Sequence, residues 1–401
     1  MREGWERTQL GYVTRQVFEP VELHPDHTYI NLGVKWYAAG TFLREPKTGA
    51  EIKAARLFRV RPGQFVYNRL FATEGSFALV RPTDEHAVAS NEFPVFSVDT
   101  SRLMPEYLYL HFQQPSVWQE VNHQCTGTTK SRLRWKEDRF AAYGFALPTL
   151  SEQRRIVDLV AAVDDTLAAA KVDSDAVIAA RSRFLDSMFG GVANVSVGSL
   201  LSGIEGGRSP KAMDVAPRIG QEGVLKVSAV TALGFEPLES KTVVDSSVFS
   251  EQHRVRANDV LVTRANTAAL VGQVCLVPAD HAHLFLCDKT LRLRPAVGVE
   301  SPTLVAALNS PAARIQLSAA ATGTSASMKN ISQENIRDVR VRWPDDPISA
   351  GLADQALLAR HARSKEAIRR LRELRTNLLT ALLSGEHGIP ESYDELAGVA
   401  S

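Results

Sequence analysis

The sequence predicts an α+β protein: two mixed α/β domains, each followed by one long helix, the helices packed as an antiparallel coiled coil and the halves related by an internal pseudo-two-fold duplication. Three observations predict it. Short β-branched and aromatic runs alternate with Gly, Pro and Asp turns over residues 1–150 and again over 192–345. Two stretches keep the three- and four-residue apolar spacing of an amphipathic helix well past the usual length of about 11–12 residues. Motifs of the first half return about 195 residues later.

In chain order, residues 1–150 form the first domain, with Tyr29-Ile30-Asn31-Leu32 and Gln64-Phe65-Val66-Tyr67 as strands. Pro148 then breaks the chain, Ser151 can cap a helix, and Glu152 and Gln153 suit its first turn. The first long helix takes residues 151–191 and is closed by Gly190-Gly191. Its stripe is Ile156, Val160, Val163, Leu167, Ala170, Val177, Phe184 and Met188, with Ser174 and Arg181 as polar interruptions. The second domain, 192–345, contains strands at Val274-Cys275-Leu276-Val277 and Leu291-Arg292-Leu293. Residues 346–401 hold the second long helix and a tail. Its periodic part runs from about Leu352 to Ser384, with a stripe at Leu357, His361, Ser364, Ile368, Leu371, Leu374, Leu378 and Leu382. Neither stripe can be buried alone, so each helix is the simplest partner for the other. The pairing set is Ile156, Val160, Val163, Leu167, Val177 and Phe184 against Leu357, Ile368, Leu371, Leu378 and Leu382. His361 and Ser364 read as register-setting or partially exposed seam positions rather than as ligands.

The repeat is carried by several short matches. Pro62-Gly63-Gln64-Phe65 followed by Asn68-Arg69 aligns with Ala257-Asn258-Asp259-Val260 followed by Thr263-Arg264. Thr126-Gly127-Thr128 aligns with Thr322-Gly323-Thr324, Leu147-Pro148 with Trp343-Pro344, and Met188-Phe189-Gly190-Gly191 with Leu382-Leu383-Ser384-Gly385.

Composition narrows the function classes. Lys and Arg number 46 against 45 Asp and Glu, which excludes a histone-like polycation. Each domain carries two more basic than acidic side chains, a weak lean toward anionic partners. Three cysteines (Cys125, Cys275 and Cys287) without CxxC spacing argue against a disulfide scaffold or a Cys-rich zinc site and suit a reducing compartment, so no metal ligands are assigned. The charged start MREGWERTQ lacks an apolar signal segment, and the longest charge-free stretches, such as Phe189 to Ile204, are Gly- and Ser-rich and fall short of the ~20 apolar residues of a membrane span. The expectation is a cytoplasmic protein with no membrane association. Catalytic motifs were sought: HExxH, GxSxG, GxGxxG after a strand, and the Asn-Pro-Pro-aromatic stretch of adenine methyltransferases are all missing. The pairs Asp164-Asp165 and Asp345-Asp346 read as solvated charge.

With these motifs in place, the chain resembles the specificity (S) subunits of type I restriction-modification systems, the HsdS family. The second domain carries the closest match, in Gly203-Ile204-Glu205-Gly206-Gly207-Arg208-Ser209-Pro210, Val224 to Val230, Asp259 to Thr267, Asp288-Lys289 and Thr322 to Met328. The helix start LPTLSEQRRI looks like the family's Pro-Pro-Leu-x-Glu-Gln, with Thr149 in place of the second proline. The resemblance implies two DNA target-recognition domains reading a bipartite, asymmetric sequence. It also implies that the helices act as a spacer docking two methyltransferase subunits, with restriction subunits outside. S-adenosylmethionine, ATP and Mg2+ would then belong to the partners, and this chain would bind no cofactor and be no enzyme. A helix of about 37 residues is roughly 55 Å long, or about 16 base pairs of duplex. Two readings of other classes stay open: a diverged DNA methyltransferase or nuclease, and a scaffold that binds proteins.

Candidate DNA contacts follow from residue chemistry. Thr126, Thr128, Thr129, Lys130, Arg132 and Arg134 put hydroxyls and cations around one Gly, a composition suited to tracking phosphates, though a solvated turn would share it. Thr324, Ser325 and Lys329 repeat this in the second domain. Arg264, Asn266 and Thr267 follow a strand at a turn, where Asn can pair with adenine and Arg with guanine or phosphate. A salt bridge or an Asx-turn would equally place them there. Arg69 holds the equivalent position in the first domain, and Arg208 and Lys211 flank Pro210 in a Gly-rich loop as phosphate contacts.

Overall fold

The computed structural model describes residues 4–54, 56–127, 133–325 and 328–396. The chain divides into two units, one of residues 1–168 with 369–401 and one of 169–368.

In the first unit an antiparallel sheet has the strand order Phe77–Leu79, Phe65–Tyr67, Val95–Val98, Thr14–Val17. Side chains alternate across a strand, and here both faces are covered. Phe65 and Tyr67 enter an aromatic core, whereas Val66 enters a smaller cluster with Val34, Val60 and Ala78. The chain reaches the central strand through a turn in which Gly63 has φ +79° and the Gln64 side-chain carbonyl accepts from the Arg61 amide at 2.7 Å. Helices Pro105–His111, Pro115–Gln124 and Glu137–Ala142 supply Phe112 and Phe140 to the aromatic core, where the Phe96 and Phe140 rings stack at 4.0 Å.

The second unit repeats that order with Val274–Leu276, Val260–Thr263, Thr290–Pro295 and Leu201–Gly206. Asn258, at φ +65°, occupies the left-handed position that Gly63 has in the first unit, which Asn tolerates better than most residues. Asp259 accepts from the Arg256 amide at 2.8 Å, as Gln64 does from Arg61. Helices Ser301–Leu308, Pro311–Ala319 and Gln333–Asp338 follow in the same sequence as the three of the first unit. A five-stranded sheet is added, ordered Ala212–Met213, Ser240–Val243, Gly223–Leu225, His281–Phe285, Arg254–Val255, with one parallel pairing between the third and fourth strands. Arg292, buried in the first sheet, ties Asp259 at 2.7 Å to Glu205 at 3.1 Å, and satisfying both carboxylates keeps these charges tolerable inside the fold.

The two long helices span Leu150–Phe189 and Pro347–Leu383. The first begins at Leu150 because Thr149, rather than Ser151, presents its hydroxyl to the Glu152 amide at 3.4 Å. Glu152 and Gln153 serve the adjoining domain. Glu152 accepts from the Trp5 indole at 3.1 Å, while the buried Gln153 side chain joins Met104, Arg102 and Pro148. The second helix starts five residues before the expected Leu352, since Pro347 needs no amide partner in a first turn and Asp346 accepts from the Ser349 amide at 3.1 Å.

In the first unit, Ile156 and Val160 share the aromatic core with Leu379, Leu382 and Leu383, and Arg375 grips Asp164 at 2.5 and 2.9 Å. In the second unit, Asp173 meets Ser364 at 2.9 Å, Ser174 meets His361 at 3.2 Å, and Arg181 meets Asp354 at 2.6 and 3.0 Å. These partners descend along one helix as they ascend along the other, so the segments run antiparallel. Spacings of seven recur within each unit: Val160 and Leu167 are buried on the first helix of the first unit, with Arg375 and Leu382 seven apart on the second helix, and in the second unit the buried Ser174 and Arg181 are answered by His361 and Asp354. Among the expected pairing residues, Ile156, Val160, Leu167, Val177 and Leu382 are buried, while Val163, Phe184, Leu357, Ile368, Leu371 and Leu378 are half-buried. Leu374 stays outside, 50% exposed, because Arg375 takes the inner position to reach Asp164.

Candidate nucleic-acid interface

The two units build the same junction from backbone bonds and dress it differently. In the second unit the Arg264 amide donates to the Lys289 carbonyl at 2.8 Å, and the Arg264 carbonyl accepts from Ile331 at 2.9 Å. In the first, the Arg69 amide donates to Glu92 at 3.0 Å and its carbonyl accepts from Trp135 at 3.1 Å. The side chains then diverge. Arg69 is ion-paired with Glu137, and Arg134 is held by Glu92 at 3.1 Å, so two cations at this junction are neutralised. The second unit has Lys289 where Glu92 stands and Gln333 where Glu137 stands. Arg264 is accordingly exposed, with no ion pair or side-chain hydrogen bond among the described residues.

Around this second junction the expected residues converge. The Arg208 amide donates to Leu286 at 3.1 Å, and the Ser209 hydroxyl bonds Asp288, which anchors the Gly-rich loop to the turn at 287–289. Gly207 is required there, because a Cβ would lie 2.1 Å from the Leu286 carbonyl oxygen. Strand Ala265–Asn266 pairs with Met328–Asn330, setting Asn266 opposite Lys329, and Met328–Asn330 pairs with Thr322–Ser325. Asn266, Lys289, Lys226, Lys241, Ser209 and Asp288 border a groove of about 880 Å3. Arg208 and Lys211 are exposed without side-chain partners among the described residues. The Asn266 side chain accepts from the Thr267 amide at 2.8 Å, an Asx contact that leaves its amino group free, and Lys329 donates to the Gly323 carbonyl at 2.6 Å. Lys226 and Lys241 share Asp214 at 2.8 and 3.7 Å, and the Lys226 hydrogen bond holds that carboxyl below its ordinary range. Lys289 was not among the expected contacts; the signal for it was the Asp288-Lys289 pair among the motifs that carry the family resemblance.

In the first unit, Thr126 and Arg134 bridge antiparallel, each amide bonding the other's carbonyl, at the position that Thr322 and Asn330 hold in the second. Thr126 is exposed. Thr128, Thr129, Lys130 and Arg132 lie outside the described residues, as do the side chains of Thr324 and Ser325. Among the described residues no cluster of His, Cys, Asp or Glu could hold a metal ion, and no helix is long and apolar enough to cross a membrane.

Comparison with known proteins relates part of this chain to a family. Residues 33–177 match the family described as type I restriction modification DNA specificity domain. That stretch of the chain is similar to a type I specificity domain. The matched region is the first repeat running into the first long helix, although the motifs had given the second repeat the closer resemblance. Over 154 residues the chain is 31% identical to the specificity subunit of the type I restriction enzyme EcoEI of Escherichia coli, covering 38% of this chain and 26% of that protein. The alignment thus spans about a quarter of that relative. Two solved structures are similar to this chain in fold. The S subunit of a type I restriction-modification system from M. genitalium has a TM-score of 0.57 at 11% identity, covering 94% of this chain and 96% of that one. A chain from a study of assembly and conformational transition in a type I R-M system has a TM-score of 0.56 at 19% identity, covering 96% and 98%.

Proposed function

We propose that this chain is the DNA-recognition subunit of a type I restriction-modification complex. Its two domains each read one half of a bipartite, asymmetric target. Its long helices form the antiparallel coiled-coil spacer of a pseudo-two-fold, duplicated chain, and they dock two methyltransferase subunits, with restriction subunits joining outside. The chain itself is non-catalytic and works in the cytoplasm, and S-adenosylmethionine, ATP and Mg2+ are used by its partners. The observation that carries the reading is the shared junction at Arg69 and Arg264, built by equivalent backbone bonds and given different side chains. One scaffold with two chemistries is what reading two unlike half-sites requires. Exposed Arg264, Arg208 and Lys211 near Asn266 supply cations for phosphate and a free amide for a base edge.

Methylome sequencing with and without the gene tests this. Loss of methylation at one split, asymmetric motif is the expected outcome. An unchanged methylome in an otherwise intact system overturns the assignment, and S-adenosylmethionine binding or DNA cleavage by the purified chain alone would favour an enzyme instead.

A further inference from the structure

The first unit carries a cavity where the second carries Asn266. At the repeat offset Phe71 corresponds to Asn266 and Trp118 to Arg314, and Gly75 (φ +69°) corresponds to Gly272 (φ +71°). Phe71 and Trp118 line a pocket of about 630 Å3 together with Trp36, Glu74, Gln119 and Asn122. Leu133, next to the Arg134 that bridges Thr126, is also part of its wall, so the pocket opens beside that candidate contact pair.

The walls are aromatic and fixed. Trp36 packs on Phe71 with ring centroids 5.2 Å apart, and Trp118 lies 6.0 Å from Tyr37. The Trp118 indole donates to the Phe112 carbonyl at 2.7 Å, and its ring rests on Gly75, where a Cβ would come within 2.4 Å. Trp36 is held 46% exposed by a turn whose next two residues, Tyr37 and Ala38, both adopt left-handed backbone (φ +58° and +47°). Amide bonds from Tyr37 to Glu74 at 2.9 Å and from Ala38 to Gly75 at 2.6 Å hold that turn in place. Strained non-glycine backbone of this kind clusters at ligand clamps, and here it presents an indole to solvent.

The polar lining selects among ligands. Among the described residues no cation lines the pocket, and its one charged group is the Glu74 carboxylate. Glu74 offers acceptors only, while Gln119 and Asn122, one turn apart on helix Pro115–Gln124, each offer a donor and an acceptor. Aromatic faces with mixed amide edges fit a flat heterocycle, and the carboxylate fits its exocyclic amine. An arginine or ammonium group would use the rings and Glu74 but leave both amides' donors unused.

We infer that this pocket receives one unstacked, amino-bearing nucleobase from the DNA bound by the first domain, stacked against Trp36 and Phe71 and hydrogen-bonded by Glu74 and Asn122. The inference rests on the DNA-recognition reading above. To test it, the full chain selects duplexes from a random-sequence pool, and the enriched duplex is remade with 2-aminopurine at each position in turn. Emission is expected to change severalfold on binding at one position within a half-site, and Trp36→Ala should abolish that change and weaken binding about tenfold. Asn122→Ala, on an exposed helical face, should weaken binding at the same base. If no duplex is enriched, both readings fall. If a duplex is enriched but no position responds and both variants bind it as the parent does, the pocket inference falls alone. Quenching of tryptophan emission by a hexa-arginine peptide without loss of duplex binding would also overturn it, marking the pocket as a protein-docking site.

Discussion

Arg69 and Arg264 show how the role of one residue type is set by two neighbours. Both sit at the exit of a central strand, and both have amide and carbonyl engaged in equivalent bonds. Glu137 consumes the Arg69 charge, whereas Gln333 and Lys289 leave Arg264 to solvent. Substitution should therefore separate the two. Arg264→Ala is expected to lower duplex affinity about tenfold and reduce the salt dependence by about one phosphate contact, while shifting stability by no more than ~0.5 kcal/mol. Arg69→Ala should instead cost about 1 kcal/mol of stability by stranding half-buried Glu137, with less effect on affinity. Titrations across salt concentrations, alongside urea unfolding, check both. Equal affinity losses from the two variants would contradict the contrast.

The long helices illustrate what periodicity does and does not reveal. Their apolar stripes are visible in the sequence, and Ser174 and Arg181 stand out as interruptions. Only the structure supplies the answering residues, His361 and Asp354, from a segment nearly two hundred positions away. His361 is kept below its ordinary range, by burial first and then by the nearby Lys365 and Arg181 charges, so its neutral ring faces the Ser174 hydroxyl. The Arg181–Asp354 pair is almost fully enclosed, with side-chain exposures of 6% and 0%. Such a pair contributes little net stability but is costly to break. Asp354→Ala should destabilise the protein by about 3–5 kcal/mol in denaturant titrations, and the double replacement by leucine at 181 and 354 should recover most of it. Full stability of Asp354→Ala would mean that the charge is not confined as described.

At the scale of the molecule, the seven-residue recurrence of seam positions makes the proposed spacer adjustable. Seven residues inserted between Ser174 and Arg181, with seven more between Asp354 and His361, preserve the phase of both seams. If the helices space the two half-sites, the insertion adds about 10 Å and lengthens the gap in the methylated motif by about three base pairs, with both half-site sequences unchanged. Methylome sequencing reads the gap directly. An unchanged gap in a stable, active variant would remove the ruler function from the helices.

By itself the sequence marked the mixed α and β content, the two long helices and the stripe of each helix, because local propensity and apolar spacing act over a few residues and survive in one dimension. It also aligned Gly63 with Asn258, and the structure showed that both hold a left-handed backbone position. The tertiary structure decided which cations stay free, since Arg69 and Arg264 look alike until Glu137 or Gln333 is brought beside them. It decided that Thr149 rather than Ser151 caps the first long helix, and that Arg375 rather than Leu374 faces inward. It alone gathered Trp36, Phe71 and Trp118 into one pocket. Charge pairing and cavity walls depend on groups distant in the chain, and no local pattern encodes which of them will meet.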